Sequence, residues 1–203
     1  MTTWLRLTAA DWAPRLVGAG VEPAVAERLA AFLELLARWQ RSTNLVGAVT
    51  PARLVSEHVA ESLAALPLLP ASGSLLDVGS GNGFPVLPLL LARPALRGTL
   101  LEPRERRWAF LKEAVRELGV DAAVRRERVE AHGGGPYDAI TVRAVAASAW
   151  AGPARRLLGR DGVLVAWVGP GSPPPVDGFE PVVTSPLPAP GRGGIVAWRR
   201  CFT

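Results

Sequence analysis

The sequence predicts an α/β fold, a largely parallel sheet with helices on both faces, preceded by a helical extension. Three observations carry this reading. From residue 74 onward short apolar runs alternate with helical stretches, which requires right-handed crossovers between parallel strands. The first 70 residues carry helical periodicity alone. A strand also runs directly into closely spaced glycines, Gly79, Gly81 and Gly83, and a helix is expected to follow them. The change of pattern places a helical cap over residues 1–70 and an α/β domain over residues 71–203.

Within the cap, residues Pro23 to Arg41 set Val25, Leu29, Phe32, Leu33 and Leu36 on one face, as an amphipathic helix does. Glu34 and Arg38 are spaced to pair on its wet side. Asn44-Leu45-Val46-Gly47 breaks the pattern. Thr50 then fits an N-cap with Pro51 at the first helical position. That helix directs Leu54, Val55, Val59, Leu63 and Leu66 inward and ends at Pro67, Pro70 and Gly73. Strands follow at Ser74–Val78, Thr99–Leu101, Ala122–Val124, Tyr137–Val142 and Val163–Val168, with the clearest helix between them at Arg104–Leu118. The proline-rich stretch from Ser172 to Pro190 reads as loop with one weak strand, Phe179–Thr184. Gly194–Trp198 is the last strand, and its spacing from the weak one fits a hairpin at the sheet edge. No internal repeat is present.

Composition narrows the chemistry. Hydrophobic residues make up 49% and charged residues 20%, the balance of a folded chain rather than a disordered one. A length of 203 residues suffices for a core without staples. One cysteine, Cys201, excludes a disulfide framework and a cysteine-built zinc site. Two histidines, His58 and His132, leave little for a histidine metal cluster, so no metal site is expected. No apolar run approaches the ~18 residues needed to span a bilayer; the greasiest, Phe84 to Ala92, carries Pro85 and Pro88 and stops at Arg93. Arg6 and Asp11 interrupt the N-terminus, so no secretory signal is expected and the cytoplasm is the expected compartment. The net charge is +5 and the pI near 10.8. Of the 23 basic residues only Lys112 is lysine, a ratio that codon bias in a GC-rich genome explains. The excess of positive charge itself favours a polyanionic partner such as nucleic acid.

The most informative stretch is Leu75-Leu76-Asp77-Val78-Gly79-Ser80-Gly81-Asn82-Gly83-Phe84. Glycines there let the backbone take unusual dihedrals and approach a ligand closely. The dinucleotide fingerprint would need glycine at 84, where Phe84 stands. Glycines in alternate positions, with Asp77 two residues before the first, instead resemble motif I of the class I S-adenosylmethionine-dependent methyltransferases, whose sheet is Rossmann-like. Glu102 closes the second strand, where a carboxylate can accept hydrogen bonds from both ribose hydroxyls of that cofactor.

The chain further resembles the bacterial 16S rRNA guanine-N7 methyltransferase family, small-subunit rRNA methyltransferase G, also called glucose-inhibited division protein B. Four blocks carry the match: Asn44-Leu45-Val46 with Glu57-His58 through Leu63; Asp77 through Pro85 with Pro88-Leu89; Arg106-Arg107 before Phe110-Leu111; and Arg128-Val129-Glu130 with Val142-Arg143-Ala144. The resemblance runs from about residue 28 to the end. It implies S-adenosylmethionine as cofactor, with Gly79 and Phe84 lining its methionine and sulfonium end. Val129 and Glu130 would hold the adenine, and Arg143 would lie at the mouth that faces cofactor and substrate. Asp77, Gly81 and Glu102 complete the cofactor set. It also implies 16S rRNA or the 30S subunit as partner, no membrane, and a monomer. His58, beside an apolar stripe, reads as packing or capping. The sequence departs from the family at Val86 (usually glycine), Glu102 and Glu61 (usually aspartate), and after Trp167, where Val168 stands in place of a lysine.

Guanine N7 carries a free lone pair, so no proton must leave before attack and no catalytic acid or base is expected. Arg104, Arg106, Arg107, Arg125, Arg126 and Arg128 are the candidates for phosphate contacts. Two other readings stay open on the residues: a methyltransferase of small molecules, which weak salt dependence of activity would favour, and a degenerate cofactor-binding protein that contacts RNA, which would bind cofactor without turnover.

Overall fold

The computed structural model describes residues 3–171, 173, 175–188 and 191–201. The elements run α1 (Ala9–Gly18), α2 (Pro23–Gln40), α3 (Pro51–Arg53), a π-helical turn (Leu54–Val59), α4 (Ala60–Leu63), β1 (Gly73–Val78), α5 (Val86–Ala92), β2 (Leu96–Leu101), α6 (Glu105–Leu118), β3 (Ala122–Arg125), β4 (Tyr137–Arg143), α7 (Ala147–Leu157), β5 (Leu158–Val168), β6 (Phe179–Pro186) and β7 (Gly194–Arg200). Every strand expected from the sequence is present. Ser172, Pro174, Ala189 and Pro190 of the expected proline-rich loop lie outside the described residues.

The seven strands form one sheet in the order β3-β2-β1-β4-β5-β7-β6. β1 to β5 are parallel to their neighbours, whereas β7 runs antiparallel to both β5 and β6. The expected edge hairpin is therefore there. Strand order reverses between β1 and β4, and the carboxyl ends at such a point are where open α/β sheets bind ligands.

Strand alternation divides the core in two. Leu75, Leu100, Ala139, Val163, Val165 and Ile195 face one side, where they share a core with Phe32, Leu33, Leu89, Phe110 and the buried residues of the N-terminal helices. Leu76, Val78, Ile140, Val142, Leu164 and Val196 face the other, against Trp150, Ala154 and Leu157 of α7. The helices that precede β1 thus share the core of that side, where α2 packs against α5 and α6 and α4 against α5. In α2, Leu29, Phe32, Leu33 and Leu36 are buried as the periodicity requires.

Three local expectations are revised. Glu34 and Arg38 do not pair: Glu34 accepts the Ala9 N–H at 2.6 Å, and Arg38 reaches Glu117 of α6. Both side chains find better partners on neighbouring helices than on their own exposed face. Thr50 does cap, accepting the Arg53 N–H at 3.3 Å. The helix it opens does not keep α-helical register, however. The π-helical turn inserts extra backbone per turn and rotates the residues after it. Leu54, Val55 and Val59 are buried, but Leu63 and Leu66 are only half-buried, and Glu61 and Ser62 take the fully buried positions. The helix from Arg104 begins one residue later, with Arg104 as its N-cap.

Candidate functional site

The glycine turn is held at the carboxyl end of β1. Gly79, Gly81 and Gly83 have φ of +72°, +54° and +88°, the left-handed region that side chains disfavour. A Cβ at Gly79 would sit 2.6 Å from Val145 Cγ2, so the turn and the loop after β4 meet closely there. The Ser80 N–H donates to the Leu101 carbonyl at 2.9 Å, which ties the turn to the end of β2.

Glu102 stands at that end and is buried. Its Oε2 accepts the Gly81 N–H at 3.0 Å and its Oε1 the Arg104 N–H at 2.8 Å. The carboxylate is therefore fixed in orientation, and each oxygen keeps lone-pair capacity for a further donor. Beside it opens a cavity of about 250 Å³ between the ends of β1, β2 and β4, lined among others by Gly79, Glu102, Arg107, Val129, Glu130 and Val145. Four residues expected on the cofactor, Gly79, Glu102, Val129 and Glu130, thus converge on one space. Val129 and Glu130 reach it from a single 3-10 turn, Val129–Ala131. Ala144, at φ +58°, is the one non-glycine residue with positive φ among the described residues, and it lines the same cavity. Such strain collects at ligand clamps. A glycine cradle beside a pre-oriented carboxylate suits S-adenosylmethionine.

The remaining expected residues lie off that cavity. Gly81 serves through its N–H to Glu102. Asp77 is buried beneath the turn, where Oδ1 accepts the Thr141 hydroxyl at 2.6 Å across the β1–β4 pair. Its Oδ2 is buried without a partner among the described residues. Burial pushes its pKa up to about 6, against the Thr141 hydrogen bond that pulls it down. Phe84 turns toward the N-terminal helices, with ring centroids 5.1 Å from both Phe32 and His58. His58 is in the packing role expected of it. Burial first, then the Arg143 charge, holds its pKa down at about 4, so it is neutral and a weak base at neutral pH.

Arg143, expected at the mouth that faces cofactor and substrate, pairs with Glu61, and its Nη2 also donates to the Glu57 carbonyl at 3.0 Å. The reason is the pleat. Arg143 pairs in register with Trp167, on the sheet face that the N-terminal helices cover, while Ala144 and Val145 turn back to the cavity. Sequence reasoning missed Arg192, whose Nε meets Glu61 Oε1 at 2.7 Å and whose Nη1 meets Glu57 at 3.1 Å. This arginine of the β6–β7 connection brings a second cation to Glu61. No local signal marks it, because its partner lies 131 positions away. Glu127 of the cavity wall was missed too.

One expectation follows for Glu102. Glu102→Gln should weaken binding of S-adenosylmethionine about ten- to a hundredfold, because an amide cannot accept from two hydroxyls and keep both backbone N–H bonds. Calorimetric titration measures it, and an unchanged dissociation constant would mean that the carboxylate does not meet the ligand.

Comparisons with known proteins identify the family and the fold. The family model described as rRNA small subunit methyltransferase G matches residues 25–170. A Ribosomal RNA small subunit methyltransferase G from Halorhodospira halophila is 43% identical over 145 residues, covering 70% of this chain and 69% of that one. Its counterpart from Stenotrophomonas maltophilia is 40% identical over 159 residues, covering 76% and 74%. Among solved structures, a mutant of MtNAS in complex with S-adenosylmethionine superposes with a TM-score of 0.62 at 16% identity, covering 96% of this chain and 78% of that one. P. horikoshii TYW2 in complex with MeSAdo superposes with a TM-score of 0.58 at 16% identity, covering 71% and 62%. The fold is thus that of the class I S-adenosylmethionine-dependent methyltransferases, and the chain belongs to the rRNA small subunit methyltransferase G family.

Proposed function

We propose that this methyltransferase transfers the methyl group of S-adenosylmethionine to N7 of one guanine in the small-subunit rRNA, with 16S rRNA or the 30S subunit as its substrate. The observation that carries the reading is the convergence of Gly79, Glu102, Val129 and Glu130 on one cavity whose rim is arginine-rich, in a chain of this family. The cofactor, when bound, supplies an electrophilic methyl on a sulfonium. Guanine N7 offers a lone pair in the plane of the base, so the chain need not remove a proton. Its residues bind, orient and exclude water, and positioning of two reactants can account for much of the rate. Neutral His58 and the buried carboxylates fit that division of labour. The small-molecule alternative has no residue of this chain in its favour.

The rRNA would meet the carboxyl edge of the sheet. Arg104, Arg107 and Arg128 line the cavity mouth, Arg106 follows Arg104 in the first turn of α6, and Arg125 ends β3. Among the described residues none of these five has a carboxylate partner, whereas Arg126 is paired with Glu105 at 3.3 Å. Unpaired guanidinium groups in an exposed arc are what a phosphate backbone needs. The target guanine must be unstacked to reach the methyl, so a loop or an assembly intermediate suits better than regular duplex. In this reading residues 1–70 are a cap packed beside the mouth. The enzyme acts as a monomer in the cytoplasm, where its substrate is. No helix among the described residues is long and apolar enough to cross a membrane.

Methylation should fall steeply as salt rises. Arg106→Ala and Arg125→Ala together should lower the salt slope of RNA binding by about two units, one per lost phosphate contact, without changing cofactor affinity. A filter-binding series across salt concentrations measures the slope. Mapping N7-methylguanine in rRNA from cells with and without the gene tests the reaction itself, and a gene-dependent mark on any other base would overturn the N7 assignment.

A further inference from the structure

Glu127, His132 and Tyr137 form a hydrogen-bonded chain that none of the family motifs includes. His132 Nδ1 lies 2.7 Å from Glu127 Oε1, and its Nε2 lies 2.7 Å from the Tyr137 hydroxyl. Glu127 lines the cofactor cavity, and Tyr137 is the first residue of β4. Between them lies the turn that carries Val129 and Glu130. That turn is a single 3-10 turn, closed by the Ala131 N–H to the Arg128 carbonyl at 3.1 Å and the His132 N–H to the Val129 carbonyl at 3.2 Å. One such turn does not hold itself in water. No regular element flanks it on either side between Arg125 and Tyr137.

The imidazole supplies what the backbone lacks. Glu127 accepts only, so Nδ1 donates to it, and Nε2 pairs with the Tyr137 hydroxyl, so both ring nitrogens are engaged. His132 is 6% exposed and Tyr137 8%, so water does not compete freely for these bonds. Arg156 of α7 donates to the His132 carbonyl at 2.6 Å, fixing the same residue from the other side. Gly134 closes over the pair: a Cβ there would stand 2.6 Å from Nε2 and 2.8 Å from the Tyr137 hydroxyl.

We propose that His132 is a positioning residue for the cofactor's adenine, acting through Glu127 and Tyr137 to hold the Val129–Glu130 turn at the cavity wall before ligand arrives. The ring does not line the cavity and takes no part in methyl transfer. Its contribution is pre-organisation: without it the ligand must order the turn itself. The proposal rests on the reading of the cavity as the S-adenosylmethionine site.

The test titrates S-adenosylhomocysteine into the full chain by calorimetry, with wild type, Gly79→Arg, His132→Ala, Tyr137→Phe and Gly134→Ala, each first checked for folding by urea denaturation. His132→Ala should weaken binding about tenfold. Tyr137→Phe and Gly134→Ala should weaken it in the same direction by a few-fold, the first by removing one hydrogen bond and the second by pressing on it with no polar group lost. These two carry the test should His132→Ala not fold. In turnover, the KM for S-adenosylmethionine should rise while kcat at saturation stays within about twofold, a split that general destabilisation does not produce. If Gly79→Arg binds S-adenosylhomocysteine like wild type, the cavity reading fails and the positioning role falls with it. If Gly79→Arg loses binding while the folded His132, Tyr137 and Gly134 variants all keep wild-type affinity, the positioning role alone is overturned.

Discussion

Gly79→Arg is expected to abolish binding of S-adenosylmethionine and S-adenosylhomocysteine. Three effects act at this residue. Its φ of +72° is strained for any side chain, and its Cβ direction points within 2.6 Å of Val145 Cγ2. Backbone strain of this kind costs about 1–3 kcal/mol, and the contact can be relieved only by moving the loop after β4. A guanidinium group added beyond that Cβ has the cavity of about 250 Å³ as its nearest space. The ligand and the new side chain then compete for the same volume. Gly79→Ala separates the effects, since it keeps the strain and the Val145 contact but leaves most of the cavity open; its affinity should fall less. Calorimetry with both ligands measures the loss, and urea unfolding shows whether the variants are folded. A folded Gly79→Arg protein with normal affinity would remove the glycine turn from the site. Tight binding of NAD without S-adenosylmethionine would sink the cofactor assignment altogether.

The second large effect belongs to stability. Glu61 is fully buried, and its two carboxylate oxygens are divided between Arg143 and Arg192. Trp167 also donates its indole N–H to the Glu61 carbonyl at 2.9 Å, so three elements distant in sequence meet at this residue. Arg143 is the more committed of the two arginines: its side chain is 14% exposed against 37% for Arg192, and its Nη1 already lacks a partner among the described residues. Glu61→Ala leaves Arg143 buried with the Glu57 carbonyl and the Trp167 ring but no carboxylate, while Arg192 can turn to Glu57 and water. Removing one partner of a buried pair costs about 3–5 kcal/mol, because an uncompensated charge remains. For a chain of this size the melting temperature should drop on the order of 10 °C. Salt should change the difference little, since the pair is shielded from solvent. Glu61→Met with Arg143→Met should recover much of the loss, because the penalty comes from the stranded charge more than from the missing attraction. A single Glu61→Ala variant that melts with wild type would show that the cluster contributes nothing net.

The same cluster shows what the sequence leaves open about Arg143, namely its partners Glu61 and Glu57. The end of β4 was legible, and so was the presence of an arginine there. Which way the side chain points follows from strand alternation, and what it meets follows from which helices cover that face. The π-helical turn is a further case. An α-helical count from Thr50 directs Leu63 and Leu66 inward, yet Glu61 and Ser62 are the buried pair. A single extra residue in a turn rotates everything after it, and no composition signal announces that insertion. Turning Glu61 inward is tolerable only because two arginines, 82 and 131 positions away, arrive to meet it.

What the sequence determined by itself is what local chemistry encodes. The alternation of apolar strand and amphipathic helix determined a parallel sheet, because each period buries a face only in its own secondary structure. The glycines at 79, 81 and 83 determined a turn with left-handed backbone, because side chains disfavour that region. The carboxylate at 102 followed as its neighbour at the next strand end. The tertiary structure alone decided which of the motif residues share a cavity and which are drawn away. It set Gly79, Glu102, Val129 and Glu130 around one space, sent Phe84 and Arg143 to the N-terminal helices, and brought Arg192 to Glu61. The physical reason is that a buried charge is placed by whatever can compensate it, and its partners here come from β4 and from the β6–β7 connection, far from it along the chain.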